Sequence, residues 1–189
     1  NWNGLMVEAL CEYFKAFKDD WSLEAAKRTV HRILDENTKG EILLHAPGLE
    51  GFLEDYIFFS KSLLSLFEVT QEEFYLREAT KFAKKAIELF WDSEGYGFFD
   101  SKEEGQGLLR IRRKEIHDSP GSCANGVSPY LFLILGSLTG IEDFLEISKK
   151  TLEAFAHLLR RHPMVSHSYL LSVYAYIKGV EFVYTEEKF

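Results

Sequence analysis

A pattern that occurs three times constrains this chain more than any single motif does. Counting from Leu23, Leu76 and Leu145, each stretch has a small residue three positions on (Ala26, Ala79, Ser148) and an apolar residue at seven (Val30, Ala83, Leu152). Apolar pairs follow at ten and eleven: Ile33 and Leu34, Ala86 and Ile87, Phe155 and Ala156. This is the one-face spacing of an amphipathic helix. Each such stretch follows another apolar helical stretch, over Leu5–Phe17, Phe52–Glu68 and Asn125–Leu138. A helical hairpin therefore recurs, and hairpins repeated at this length stack, because none buries its apolar face alone. A seventh helix over Val165–Lys178 ends at Gly179, the residue type that most easily closes a helix.

The first helix of each pair is the more apolar. Tyr130–Leu138, "YLFLILGSL", is apolar nearly all round, and Leu5, Met6, Ala9, Leu10, Tyr13, Phe14 and Phe17 cover more than one stripe. Such helices are buried on most sides, whereas the second helices, with "AAKR", "FAKK" and "ISKK", keep a polar side. An inner and an outer ring of helices follow. The third hairpin starts 69 residues after the second, against 53 for the second after the first, so one connection is lengthened. In it Tyr96–Phe99 and Leu109–Ile111 flank a Gly- and acid-rich turn and read as a β-hairpin. Glu41–Pro47, "EILLHAP", reads as a second extended piece. Both lead towards inner helices, and connections are where such scaffolds carry function.

Charge and apolar content narrow the function classes. Hydrophobic residues make up 46% of the 189 positions, enough for a buried core. The net charge is −8, and "RIRRK" (Arg110–Lys114) is followed at once by Glu115, so no basic face exists for nucleic acid. No apolar run reaches the roughly 20 residues that span a bilayer. The chain reads as soluble and cytoplasmic. Cys11 and Cys123 lack any spacing suited to zinc and are expected as free thiols; no metal and no cofactor is expected.

Five motifs in order, "WNGLM" (Trp2–Met6), "GFLEDY" (Gly51–Tyr56), "LFWDSEGYGFF" (Leu89–Phe99), "RRKEIHD" (Arg112–Asp118) and "LGSLTG" (Leu135–Gly140), resemble the C-terminal helical region of the spermatogenesis-associated protein 20-like family, also described as thioredoxin domain-containing. The resemblance implies an all-α fold, a partial (α/α)6 toroid of the six-hairpin glycosidase type, related to N-acylglucosamine 2-epimerase. It implies that residues 1–189 are the C-terminal portion of such a toroid, without the N-terminal thioredoxin-like domain and the first hairpins. The absent hairpins lead to an expected homodimer, or to association with the missing half of the toroid. The implied function is binding of a small sugar, with epimerase- or isomerase-like chemistry in a central cavity. The alternative is a non-catalytic scaffold serving a thioredoxin-like domain. Where the family reads "PSGNS", this chain has Ser122, Cys123, Ala124, Asn125 and Gly126, which favours that alternative.

Isomerisation of a sugar needs a group that takes a proton beside a carbonyl and one that returns it. Glu54, Asp55, His117 and Asp118 are the candidate acid/base groups. Glu54 and Asp55, adjacent at a helix start, point about 100° apart and do not form one paired site; either also suits a helix N-terminus. Trp2, Asn3, Tyr56, Glu115 and Asn125 are the candidate ligand-binding residues. Asn125 is better suited to cap its helix, a role its type favours strongly, and Glu115 to form a local ion pair with Lys114. Ser128 and Pro129 are suited to a later helix start. Among the other histidines, His31 and His157 fall on outer helices, and His45, His162 and His167 near turns, with His167 the reserve candidate.

Overall fold

The computed structural model describes residues 1–102 and 112–182, which form two compact units, Asn1–Lys85 and Ala86 onward. The first unit begins with a hairpin of α1 (Trp2–Phe17) and α2 (Asp20–Glu36). Lys18 at the left-handed φ of 55° closes α1, and the Asp19 carboxylate accepts from the Ser22 N–H to open α2. Three short antiparallel strands follow in the order β1 (Thr38–Lys39), β2 (Ile42–Ala46), β3 (Leu49–Glu50). The extended piece expected over Glu41–Pro47 is thus the central strand. Helices α3 (Leu53–Thr70) and α4 (Glu73–Phe90) complete the second hairpin, with α4 carrying the chain out of this unit.

Burial follows the two kinds of helix read in the sequence. In α3 thirteen residues are buried, on every side of the helix. In α4 burial is confined to Tyr75, Ala79, Phe82, Ala83, Ala86 and Phe90, a single stripe at helical spacing. Helix α1 departs from the expectation. It packs against α2 and α3, and its remaining face leaves Trp2, Met6, Tyr13 and Phe17 exposed. The approach of α1 to α3 is close at Gly4, where an added Cβ would lie 2.7 Å from the Phe58 carbonyl oxygen.

The second unit contains α5 (Ala124–Thr139), α6 (Glu142–Arg161), a 3-10 turn over Pro163–Val165, and α7 (His167–Lys178). Helix α5 packs on both α6 and α7. The Phe98 ring stacks on Phe132 of α5 with centroids 5.5 Å apart, and Phe132 meets Phe144 of α6 at 5.4 Å; contacts of this kind are worth about 0.5–1.5 kcal/mol beyond burial. Of the expected β-hairpin, Phe98 forms an isolated bridge with Trp91, while Leu109–Ile111 lies outside the described residues.

Helix α5 starts at Ala124, one residue before the stretch read from its apolar pattern, and runs through Pro129, so the later start that Ser128 and Pro129 also suited is not used. The proline removes the N–H that would serve the Asn125 carbonyl, and the Ser128 hydroxyl donates to that oxygen instead, at 3.4 Å. Nor does Asn125 cap the helix. Cys123 is the cap residue, its Sγ accepting from the Gly126 N–H at 3.3 Å.

Alanine in place of glycine in an open helix stabilises by about 1 kcal/mol. Gly4→Ala is expected to do the reverse, lowering stability by about 1–3 kcal/mol through overpacking of α1 on the α3 backbone, as read by urea denaturation. A neutral or stabilising result would contradict the close packing of these helices.

Candidate functional site

In the first unit the start of α3 is built around the Asp55 side chain, which is only 4% exposed. Its Oδ2 accepts from the Phe52 N–H at 2.9 Å, tying the first turn of the helix to the residue before it. Its Oδ1 accepts from the backbone nitrogen of Asn1 at 2.7 Å. The third partner is His45 on β2, whose Nδ1 lies 3.0 Å from Oδ2 and 3.2 Å from Oδ1. A buried carboxylate requires such donors, since an unpaired charge there would be strongly penalised. The neighbouring Tyr56 is fully buried, and its hydroxyl accepts from the Leu43 N–H at 2.9 Å, which fastens β2 to α3. Burial pushes the Tyr56 phenol above its ordinary pKa.

These bonds frame a pocket of ≈ 60 Å³ lined by Asn1, Asn3, Gly4, Ile33, Asn37, Leu43, Leu44, His45, Asp55 and Phe59. Its size admits about four or five water-sized groups. The His45 side chain is 37% exposed, and the Phe52 ring meets it edge-on at 5.3 Å. With Asp55 ionised, Nδ1 carries the hydrogen, and Nε2 has no partner among the described residues. The side-chain amides of Asn3 and Asn37 likewise make no hydrogen bond among the described residues.

Of the residues singled out in the sequence, Asn3 and Asp55 line this pocket. Glu54 is half-buried and does not line it, consistent with its pointing about 100° away from Asp55. Trp2 is 81% exposed, so it is neither core nor part of the pocket wall. His45 and Asn37 were missed. The only sequence signal for His45 was its place in "EILLHAP", an extended piece ten residues before Asp55; the turn that returns β2 to the start of α3 brings them together.

In the second unit His117 and Asp118 do not act as a pair. His117 is exposed, and its Nδ1 lies 2.8 Å from Glu115 Oε1. Asp118 points to two helix starts: Oδ1 accepts from the Cys123 N–H at 2.9 Å and the Ser168 hydroxyl at 2.7 Å, and Oδ2 from the Ser168 N–H at 2.9 Å. Burial alone would raise the Asp118 pKa, but the bonds from Ser168 and Cys123 outweigh it and hold the pKa below the usual carboxylate value. The expected Lys114–Glu115 pair is also replaced. Lys114 pairs with Asp92 at 2.6 Å, and Glu115 with Arg113 at 3.2 Å. The Lys114 bond, with the N–H groups of Gly95 and Glu94, brings Asp92 down to about 2.

Asn125 is fully buried and its amide is spent on the backbone. Its Oδ1 accepts from the Phe98 N–H at 2.8 Å, and its Nδ2 donates to the carbonyls of Phe98 at 2.9 Å and Glu115 at 3.0 Å. Cys123 is buried among Ser166, Ser168 and the Ile116 carbonyl. Burial pushes its thiol up to about 11, and that of Cys11 to about 12. Both cysteines are free. No described helix is long and apolar enough to cross a membrane.

At pH 8 a thiol of this kind is ionised in roughly one molecule in a thousand. Native protein is therefore expected to react negligibly with a disulfide reagent at that pH, with both cysteines titrating once it is unfolded in guanidinium; fast native labelling of Cys123 would contradict its environment. Because the folded Asp118 pKa lies below the ordinary 3.8, its contribution is fully present above that value and is lost as pH falls through the folded value. Asp118→Asn should cost about 1–2 kcal/mol at pH 7, discounted for its partial exposure. The difference from wild type should shrink in denaturation curves taken progressively below pH 3.8.

No family model matches the chain. Spermatogenesis-associated protein 20 of Mus musculus is 32% identical over 182 residues, which are 86% of this chain and 22% of the relative; the Homo sapiens protein is 32% identical over 178 residues, 86% and 23%. The chain thus spans less than a quarter of the length of these relatives. Among solved structures, a D-mannose isomerase matches with a TM-score of 0.67 at 17% identity, over 82% of this chain and 42% of that one. A GH76 α-mannanase of Bacteroides thetaiotaomicron matches with a TM-score of 0.61 at 19% identity, over 80% and 42%. Both are toroids of helical hairpins. Over 86% of its length the chain is a relative of spermatogenesis-associated protein 20, as its ordered motifs implied, and its fold is that of part of an (α/α)6 toroid.

Proposed function

We propose that the chain forms part of a sugar-binding toroid and that the pocket at the starts of α1 and α3 is a sugar subsite, with epimerase- or isomerase-like chemistry. The single observation behind this reading is the polar character of that pocket. A buried carboxylate, an imidazole and two amides that make no hydrogen bond among the described residues line one small opening. Groups able to accept and donate hydrogen bonds in turn suit a polyhydroxylated ligand. The likeness to a D-mannose isomerase and to mannan-degrading enzymes supports the choice of ligand class by analogy of fold.

The scaffold alternative has its own support in the second unit. There the loop with His117, Asp118 and Asn125 directs Asp118 and Asn125 onto backbone groups, so these two side chains organise the fold. This alternative predicts no sugar response at all.

The deciding experiment incubates the protein with neutral aldohexoses, D-mannose among them, in D2O and follows the spectrum by proton NMR. The expected outcome is loss of the C2 proton signal and growth of an epimer or ketose. Absence of both exchange and line broadening across the panel would leave the scaffold reading standing.

A further inference from the structure

We propose that the outer face of α1 is the surface through which two copies of this chain associate, their α1 helices packed antiparallel about a two-fold axis between Ala9 and Leu10. The inference stands apart from the sugar reading and does not depend on it.

Three observations carry it. The first is the chemistry of the face. Trp2, Met6, Ala9, Leu10, Tyr13 and Phe17 recur at the spacing that puts them on one side of a helix. Trp2 is 81%, Met6 59%, Tyr13 49% and Phe17 68% exposed, and no charged residue interrupts them. The charged residues of α1 lie outside this stripe and are engaged within the chain: Glu8 pairs with Lys61, and Lys15 with Glu12 and Glu68 at 2.7 Å. In a chain with 28% charged residues, an exposed helix face with none is a surface from which water is meant to be displaced.

The second is area. With about 150–250 Å² to an aromatic side chain, the exposed parts of Trp2, Tyr13 and Phe17 alone come to about 400 Å² per copy. Two such faces, with Met6, Ala9 and Leu10 added, reach about 1,000 Å², the lower bound for a specific contact between two chains.

The third is self-complementarity, which makes a second copy the occupant. About the stated axis, Trp2 of one copy meets Phe17 of the other, Met6 meets Tyr13, and Ala9 meets Leu10. Both helices then overlap over their whole length. The small Ala9 beside the axis lets the two backbones approach at the centre, while the large side chains interlock towards the ends. Each end gains a ring pair and a sulfur–aromatic contact. The Tyr13 and Phe17 rings already lie 4.6 Å apart within one copy, so this part of the face is ordered before association. No like charges are brought together along the seam.

Sedimentation velocity of the chain at concentrations up to about 100 μM, which spans weak as well as tight association, is expected to show a dimer at the upper end. Met6→Lys and Tyr13→Lys, each at an exposed position, are expected to keep the helical circular dichroism. Each should weaken association by at least about tenfold, since an unpaired ammonium would be buried. Ile177→Lys, which charges the exposed face of α7 instead, is expected to leave association unchanged. The register is read by oxidation, because both native thiols are buried. Ala9→Cys, beside the axis, is expected to form a disulfide between copies; Ala16→Cys, about 20 Å along the helix from its counterpart, is not. A chain that stays monomeric throughout overturns the proposal, as does a dimer that survives both Met6→Lys and Tyr13→Lys. Loss of the dimer in Ile177→Lys alone assigns the contact to α7 and overturns it equally. Disulfide formation at both positions 9 and 16 overturns the antiparallel arrangement.

Discussion

A buried aspartate at the beginning of a helix is the constraint around which the first unit is arranged. Asp55 is only 3% exposed, so its carboxylate depends on donors supplied by nearby chain. The Phe52 N–H supplies one such donor from the helix start, and His45 supplies another from β2. Tyr56 adds a second clamp on the same strand through the Leu43 N–H. The strand is therefore held against α3 by polar bonds as well as by the burial of Leu43, and the pocket exists because the chain is held open around these groups rather than collapsed over them.

The second unit uses an aspartate in a related way with a different outcome. Asp118 accepts from backbone and hydroxyl donors at the starts of α5 and α7, and Asn125 closes the connection from Phe98 to Glu115. Gly126 allows the approach, since a Cβ there would fall 2.1 Å from the Ser168 hydroxyl. The contrast is one of partners: one donor facing Asp55 is an imidazole whose second nitrogen has no partner among the described residues, whereas Asp118 is met by two peptide N–H groups and the Ser168 hydroxyl.

Much of this architecture was legible from residue order. The seven α-helices among the described residues lie where the periodicity put them, and the buried stripe of α4 repeats the spacing counted from Leu76. The misses share a cause. Asn125 and Asp118 were read as rim or turn residues because their types suit both roles, and only the neighbouring backbone decides which partners they meet. Pro129 also suited a later helix start, because a missing N–H normally costs a bond; here a hydroxyl one residue away offsets it. His45 passed as one of several histidines near turns, since nothing in a linear pattern states that a strand will fold back onto a carboxylate ten residues later.

Helix period, the two classes of helix and the relation to a toroid family were determined by the sequence alone, because amphipathic spacing is a local property that each segment carries with it. Which acidic and amide side chains are spent on holding the chain, and which leave a reactive atom in an opening, was decided only by tertiary structure. The physical reason is that a buried polar group takes whichever donors or acceptors the packed backbone brings within about 3 Å, and that choice is made between segments rather than within them.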